Sequence, residues 1–104
     1  MSILDRFRLD GKVAVVTGRG RGIGRGIALA FAEAGADVAI GARRKHEVNS
    51  VAEEIRSIGK KAFPMEIDVL KKENIDNFAK ETAKELGNIS IWINNAGGNI
   101  DRTP

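Results

Sequence analysis

The chain has 104 residues, 42% of them hydrophobic and 30% charged, the balance of a soluble globular protein with length for one domain. Lys plus Arg number 17 against 14 Asp plus Glu, and this net charge of +3 favours anionic ligands without pointing to nucleic acid. With no cysteine, no tyrosine and a single histidine, His46, the composition excludes a disulfide scaffold, thiol catalysis and a Cys- or His-cluster metal site.

Residues 1–9 mix Asp5, Arg6 and Arg8 with apolar residues, which is not the pattern of a signal peptide. No apolar run approaches the roughly 20 residues that cross a bilayer, so neither membrane nor nucleic acid is expected as a partner, and the cytoplasm is the expected compartment. The first strand-like run is 13–17, nearly all apolar, as a central strand covered on both faces should be. A helical stripe follows through Ile23, Ile27, Ala30, Phe31 and Ala34. A second strand at 38–42 leads to a stripe of Val48, Val51, Ala52 and Ile55. The third strand, 61–67, contains Pro64, which cannot donate to a ladder and so marks an edge. Ile75, Phe78, Ala79, Ala83 and Leu86 form the third stripe. The last strand, 89–94, alternates, with Ile89, Ile91 and Ile93 on one face and Ser90, Trp92 and Asn94 on the other. Gly35, Gly59 and Gly87 fall just past the helices, where a left-handed cap needs no Cβ. Strands alternating with helices predict an α/β fold with a mostly parallel sheet and right-handed crossovers.

The segment Val13-Ala-Val-Val-Thr17-Gly18-Arg-Gly-Arg-Gly22-Ile23-Gly24 joins a buried strand to an amphipathic helix through a glycine-rich turn. Gly18 suits the tight turn, Gly22 a close approach of phosphate to backbone, and Gly24 the packing of helix on strand. Exposed N–H groups and the helix dipole then favour a pyrophosphate. Plain turn chemistry is the bland reading of these glycines. A disordered Arg-Gly tract for nucleic acid is another, opposed by the helical stripe that starts inside it and by the lack of aromatics.

Together with Asn94-Asn95-Ala96-Gly97 near the end, Thr17-Gly18-x-x-x-Gly22-Ile23-Gly24 resembles the classical short-chain dehydrogenase/reductase family, specifically its N-terminal cofactor-binding half. The lead-in Leu9-Asp-Gly-Lys-Val-Ala and the Asp68-Val69 after the third strand are also similar. The resemblance implies a Rossmann-type three-layer fold with a parallel sheet of about four strands in the order 3-2-1-4, truncated relative to the family. Residues 1–104 would form a single dinucleotide-binding domain. The resemblance further implies that Gly18, Arg19, Arg21, Gly22, Ile23 and Gly24 hold the phosphates. Asp68 and Val69 would flank the adenine, while Asn95, Ala96 and Gly97 would line the ribose side. For Asp68 the competing role is the N-cap of the third helix.

The second strand bears on cofactor choice. An NAD site places an acid at its end to accept from the ribose 2′-OH. Here the run is Ile40-Gly41-Ala42-Arg43-Arg44-Lys45, with Ala42 at the acid's place. Arg43 and Arg44, with Arg21, are suited to a 2′-phosphate, so NADP(H) is favoured over NAD(H). A merely solvated basic loop is the alternative. Family catalysis uses Ser, Tyr and Lys from a segment that would follow residue 104, so no residue here is carried over as catalytic, and no metal ligand is expected. Two classes stay open: the NADP(H)-binding half of an oxidoreductase acting on carbonyls and secondary alcohols, or a stand-alone nucleotide-binding module. The outer edge of the last strand predicts self-association.

Overall fold

Strand β1 (Val13–Gly18) is buried along its whole length, as an apolar run must be to lie between two layers. In the computed structural model, which describes residues 8–18 and 24–95, it is followed by α1 (Arg25–Glu33) and β2 (Asp37–Ala42). The chain continues through α2 (Lys45–Ile58), β3 (Ala62–Glu66), α3 (Lys72–Leu86) and β4 (Ile91–Asn95). All pairings are parallel and the order is β3-β2-β1-β4. The predicted three-layer Rossmann-type architecture is therefore observed, and Pro64 lies on edge strand β3.

Two clusters clothe the sheet. On one face Ala14, Val16, Val38, Ile40 and Ala42 meet Ala28 and Ala32 of α1 and Val48, Val51, Ala52 and Ile55 of α2. On the other, Val15, Ala39 and Ile67 pack with Phe78 of α3, joined by Phe63 and Trp92. Phe78 is fully buried, with ring centroids 6.1 Å from both Phe63 and Trp92. Gly41 of β2 lies beneath it, and a Cβ there would come 2.7 Å from Phe78 Cε2 and from Ile67 Cδ1.

The second helix buries the stripe that its spacing predicts. The first does not. Ala28 and Ala32 face inward while Ile27 is 38% exposed. From Ile27 to Ala32 every residue is apolar, so periodicity selects no face, and the small alanines win because they let α1 approach β1 and α2 closely. In α3 the buried set includes Thr82, while Ala83 is exposed. Ile89 precedes β4 and so escapes its alternation: it packs with Trp92, whereas Ile91 joins the opposite cluster. Gly35 and Gly59 have φ of 110° and 100° as expected of helix ends. Gly87, at φ 106° and ψ −170°, is not a left-handed helical cap, though its positive φ still requires glycine.

Candidate functional site

Because all strands run parallel, their carboxyl ends share one edge of the sheet. The chain leaves β1 for β2 by α1 on one face, and returns by α3 across the other face to β4, so the direction of winding reverses between β1 and β4. A crevice at such a reversal is where open α/β sheets take ligands. There Gly18, the last residue of β1, stands in register with Asn95, the last of β4. Gly24 is the N-cap of α1, with φ 70° and ψ 43°. A Cβ on it would lie 3.2 Å from Val16 Cγ1 and 3.5 Å from Asn95 Cβ. Gly24 thus serves two needs, a left-handed turn and the close seating of the helix start on β1 and β4.

The ends of β2 and β3 form the adjoining part of the edge. Ala42 is buried and Arg43 and Arg44 are exposed beyond it. Arg44 is the N-cap residue of α2 and sets its Nη1 3.4 Å from Glu47 Oε2, so its charge is engaged along its own helix. Arg43 has no ion pair or hydrogen bond among the described residues, and it lines a cavity of about 370 Å³ with Glu66, Ile67, Asp68 and Asn74. Asp68 does not cap α3, as its competing role required. Lys71 occupies the N-cap position. The Asp68 carboxylate instead accepts from Leu70 N at 3.0 Å, and Asp68 N donates to Asn74 Oδ1 at 2.9 Å. The turn is closed two residues short of the helix, so the carboxylate stays at the cavity wall.

A second cavity of about 390 Å³ lies at the ends of β1 and β4, lined in part by Thr17, Val69, Trp92, Asn94 and Asn95. Asn94 Oδ1 accepts two hydrogen bonds, from Thr17 Oγ1 and from Trp92 Nε1, both 2.8 Å. An indole N–H can only donate, so this pair fixes which end of the Asn94 amide is oxygen. The structure therefore gathers Arg43 with Asp68, and Val69 with Asn95, into two neighbouring hollows along one edge. Arg19, Arg21, Gly22, Ile23, Ala96 and Gly97 lie outside the described residues.

Arg25, the first residue of α1, makes a two-pronged ion pair with Glu54 of α2, at 2.7 and 2.6 Å. The Arg25 guanidinium holds the Glu54 carboxyl below the usual glutamate range. Sequence spacing gives no sign of this tie, nor of Glu66 and Asn74 as wall residues, and Asn94 enters there only as the start of the Asn94–Gly97 motif. No group of three or more His, Cys, Asp or Glu side chains able to hold a metal occurs among the described residues. No helix among them is long and apolar enough to cross a membrane.

A family model described as short chain dehydrogenase matches residues 12–103. The chain belongs to the short-chain dehydrogenase family. Among members of that family it is 48% identical over 101 residues to an uncharacterized oxidoreductase of Mycobacterium tuberculosis, covering 97% of this chain and 38% of the relative. It is 40% identical over 94 residues to the 7alpha-hydroxysteroid dehydrogenase of Escherichia coli, covering 90% and 37%. The chain thus spans less than two-fifths of the length of these short-chain dehydrogenases. A solved 7alpha-hydroxysteroid dehydrogenase in complex with NADH and 7-oxo glycochenodeoxycholic acid superposes with a TM-score of 0.83 at 40% identity, covering 94% of this chain and 38% of that one. A short-chain type dehydrogenase/reductase from Mycobacterium marinum gives a TM-score of 0.77 at 44% identity, covering 88% and 37%. The short-chain dehydrogenase fold, with its dinucleotide cofactor, is the frame for the geometry above.

Proposed function

We propose that this chain is the cofactor-binding part of an NADP(H)-dependent oxidoreductase that interconverts carbonyls and secondary alcohols. The observation that carries the reading is Gly24: left-handed, seated against Val16 and Asn95, and opening a helix at the winding reversal. That arrangement leaves backbone N–H groups and the positive end of the α1 dipole at the crevice, the chemistry a pyrophosphate needs. Gly18, Arg19, Arg21, Gly22, Ile23 and Gly24 are assigned to the phosphates, Asp68 and Val69 to the adenine, and Asn95, Ala96 and Gly97 to the ribose side. When bound, the reduced dinucleotide would give hydride to a carbonyl and the oxidised one would take hydride from an alcohol. The residues of this chain bind and orient it.

Preference for the 2′-phosphate rests on Ala42 and Arg43. No acid at the end of β2 opposes the phosphate, and Arg43 stands at the cavity wall with no ion pair among the described residues. Arg44, tied to Glu47, contributes at longer range. The relative solved with NADH shows that the other cofactor is used in the family, so the preference is argued from this chain alone. Dissociation constants for NADPH and NADH test it. NADPH is expected to bind about tenfold more tightly, the low end for a charge-assisted hydrogen bond because Arg43 is exposed. Arg43→Ala should abolish the preference for NADPH or turn it toward NADH, and equal affinities in the wild-type chain would refute the preference.

The chain has no tyrosine or cysteine to donate a proton beside the nicotinamide, and His46 is exposed near the start of α2. Binding without turnover is the expected behaviour, which a stand-alone nucleotide-binding module would share. The outer edge of β4, with Ile91, Trp92 and Ile93 half-buried and no neighbour strand among the described residues, supports self-association.

A further inference from the structure

We infer that Glu66 is a specificity-determining residue for the 2′ position of the dinucleotide ribose, supplying from β3 the carboxylate that β2 lacks. The inference rests on the binding reading above. Ala42 and Glu66 are direct partners in the parallel register of β2 and β3, so their side chains stand side by side on the same face at the same edge. Glu66 is exposed, is claimed by no ion pair among the described residues, and lines the cavity that Arg43 and Asp68 also line. The cavity wall therefore carries one guanidinium and two carboxylates. A 2′-hydroxyl donates to a carboxylate, whereas a 2′-phosphate meets Arg43 favourably and Glu66 unfavourably. Arg43 and Glu66 act in opposite senses on the same discrimination. Arg43 sets its direction and Glu66 limits its size.

Glu66 suits a direct test because it is exposed on an edge strand and its side chain makes no hydrogen bond or ion pair among the described residues. Dissociation constants for NADPH and NADH are measured by titration on the whole chain, its Glu66→Gln, Glu66→Ala and Arg43→Ala variants, with Trp92 fluorescence confirming that each is folded. Removing a like charge across a water-exposed cavity should tighten NADPH binding about three- to tenfold in Glu66→Gln. NADH affinity should hold within about twofold, because the amide oxygen still accepts. Glu66→Ala should weaken NADH about threefold through loss of that acceptor. The Glu66→Gln gain for NADPH should shrink as salt rises, which a purely structural role for Glu66 would not produce. A ratio of the two constants that Glu66→Gln leaves unchanged overturns the inference while the binding reading stands. A ratio moved by Glu66→Gln but not by Arg43→Ala supports the inference and overturns the assignment of Arg43. The absence of saturable binding to the wild-type chain overturns both.

Discussion

Gly24 and Gly26 lie two residues apart at the start of α1, and alanine should have opposite effects at the two. At Gly24 the backbone is left-handed, φ 70° and ψ 43°, which costs an L-residue about 1–2 kcal/mol. The new Cβ would also stand 3.2 Å from Cγ1 of the fully buried Val16, which would have to give by a few tenths of an ångström. A few tenths of an ångström of enforced shift adds about 1 kcal/mol, for a total loss of about 2–3 kcal/mol. At Gly26 a Cβ meets nothing within 4 Å, and the residue is helical and exposed. Alanine there should stabilise by about 0.5–1 kcal/mol through the entropy of the unfolded chain. Urea unfolding followed by the fluorescence of Trp92, the chain's single tryptophan, reads both. Gly24→Asn, whose side chain tolerates the left-handed region, separates the conformational cost from the contact. Two variants displaced in the same direction, or Gly24→Ala within about 0.5 kcal/mol of wild type, would refute the geometry on which the site is built.

Gly41→Ala should destabilise by about 1–3 kcal/mol, since its Cβ would overlap the buried Phe78 ring at 2.7 Å. Adding Phe78→Leu should recover part of that loss in the same urea titration. Thr82 Oγ1 is buried with no hydrogen-bond partner, so Thr82→Val should be neutral or stabilise by up to about 1 kcal/mol, and a loss beyond that would show a partner exists. The Glu54 carboxyl is held low by Arg25, so its contribution is present above the ordinary glutamate range and is lost as pH falls through the lowered folded-state value. Glu54→Gln should therefore be less stable than wild type near neutrality, with the gap closing as the solution is acidified. A gap independent of pH would contradict the pairing. Sedimentation velocity should show association that rises with concentration and weakens when Ile93→Lys places a charge beside the β4 edge. A sharp monomer at all concentrations would count against an available edge.

Strand positions to within two residues, the caps at Gly35 and Gly59 and the edge place of β3 are legible in the sequence, because each follows from local chemistry: an apolar run, a missing Cβ, a missing N–H. The order β3-β2-β1-β4 came from resemblance, since nothing in the apolar runs says which strands are neighbours. The face of α1 is legible only at Phe31 and Ala34, because Ile27 to Ala32 offers no polar residue to mark the outside. At the site, Gly24, Arg43 and Asp68 could be found from their offsets after strands. Glu66 could not, because its place beside Ala42 is a property of register between two strands with a whole helix between them. The roles of Asn74 and Asn94 were hidden for a related reason: they are set by what each accepts, from Asp68 N and from Thr17 and Trp92.

The proposed site lays a dinucleotide along the carboxyl ends of the strands, across the winding reversal between β1 and β4. Amide chemical-shift mapping of the isotopically labelled 104-residue chain during titration with NADPH tests it most directly. Saturable shifts are expected at Gly18, Gly24, Arg43, Asp68, Val69 and Asn95, with Lys12, Ala36, Lys61 and Ser90 at the amino ends unmoved. Shifts centred on those amino ends, or no saturable shift at all, would contradict it.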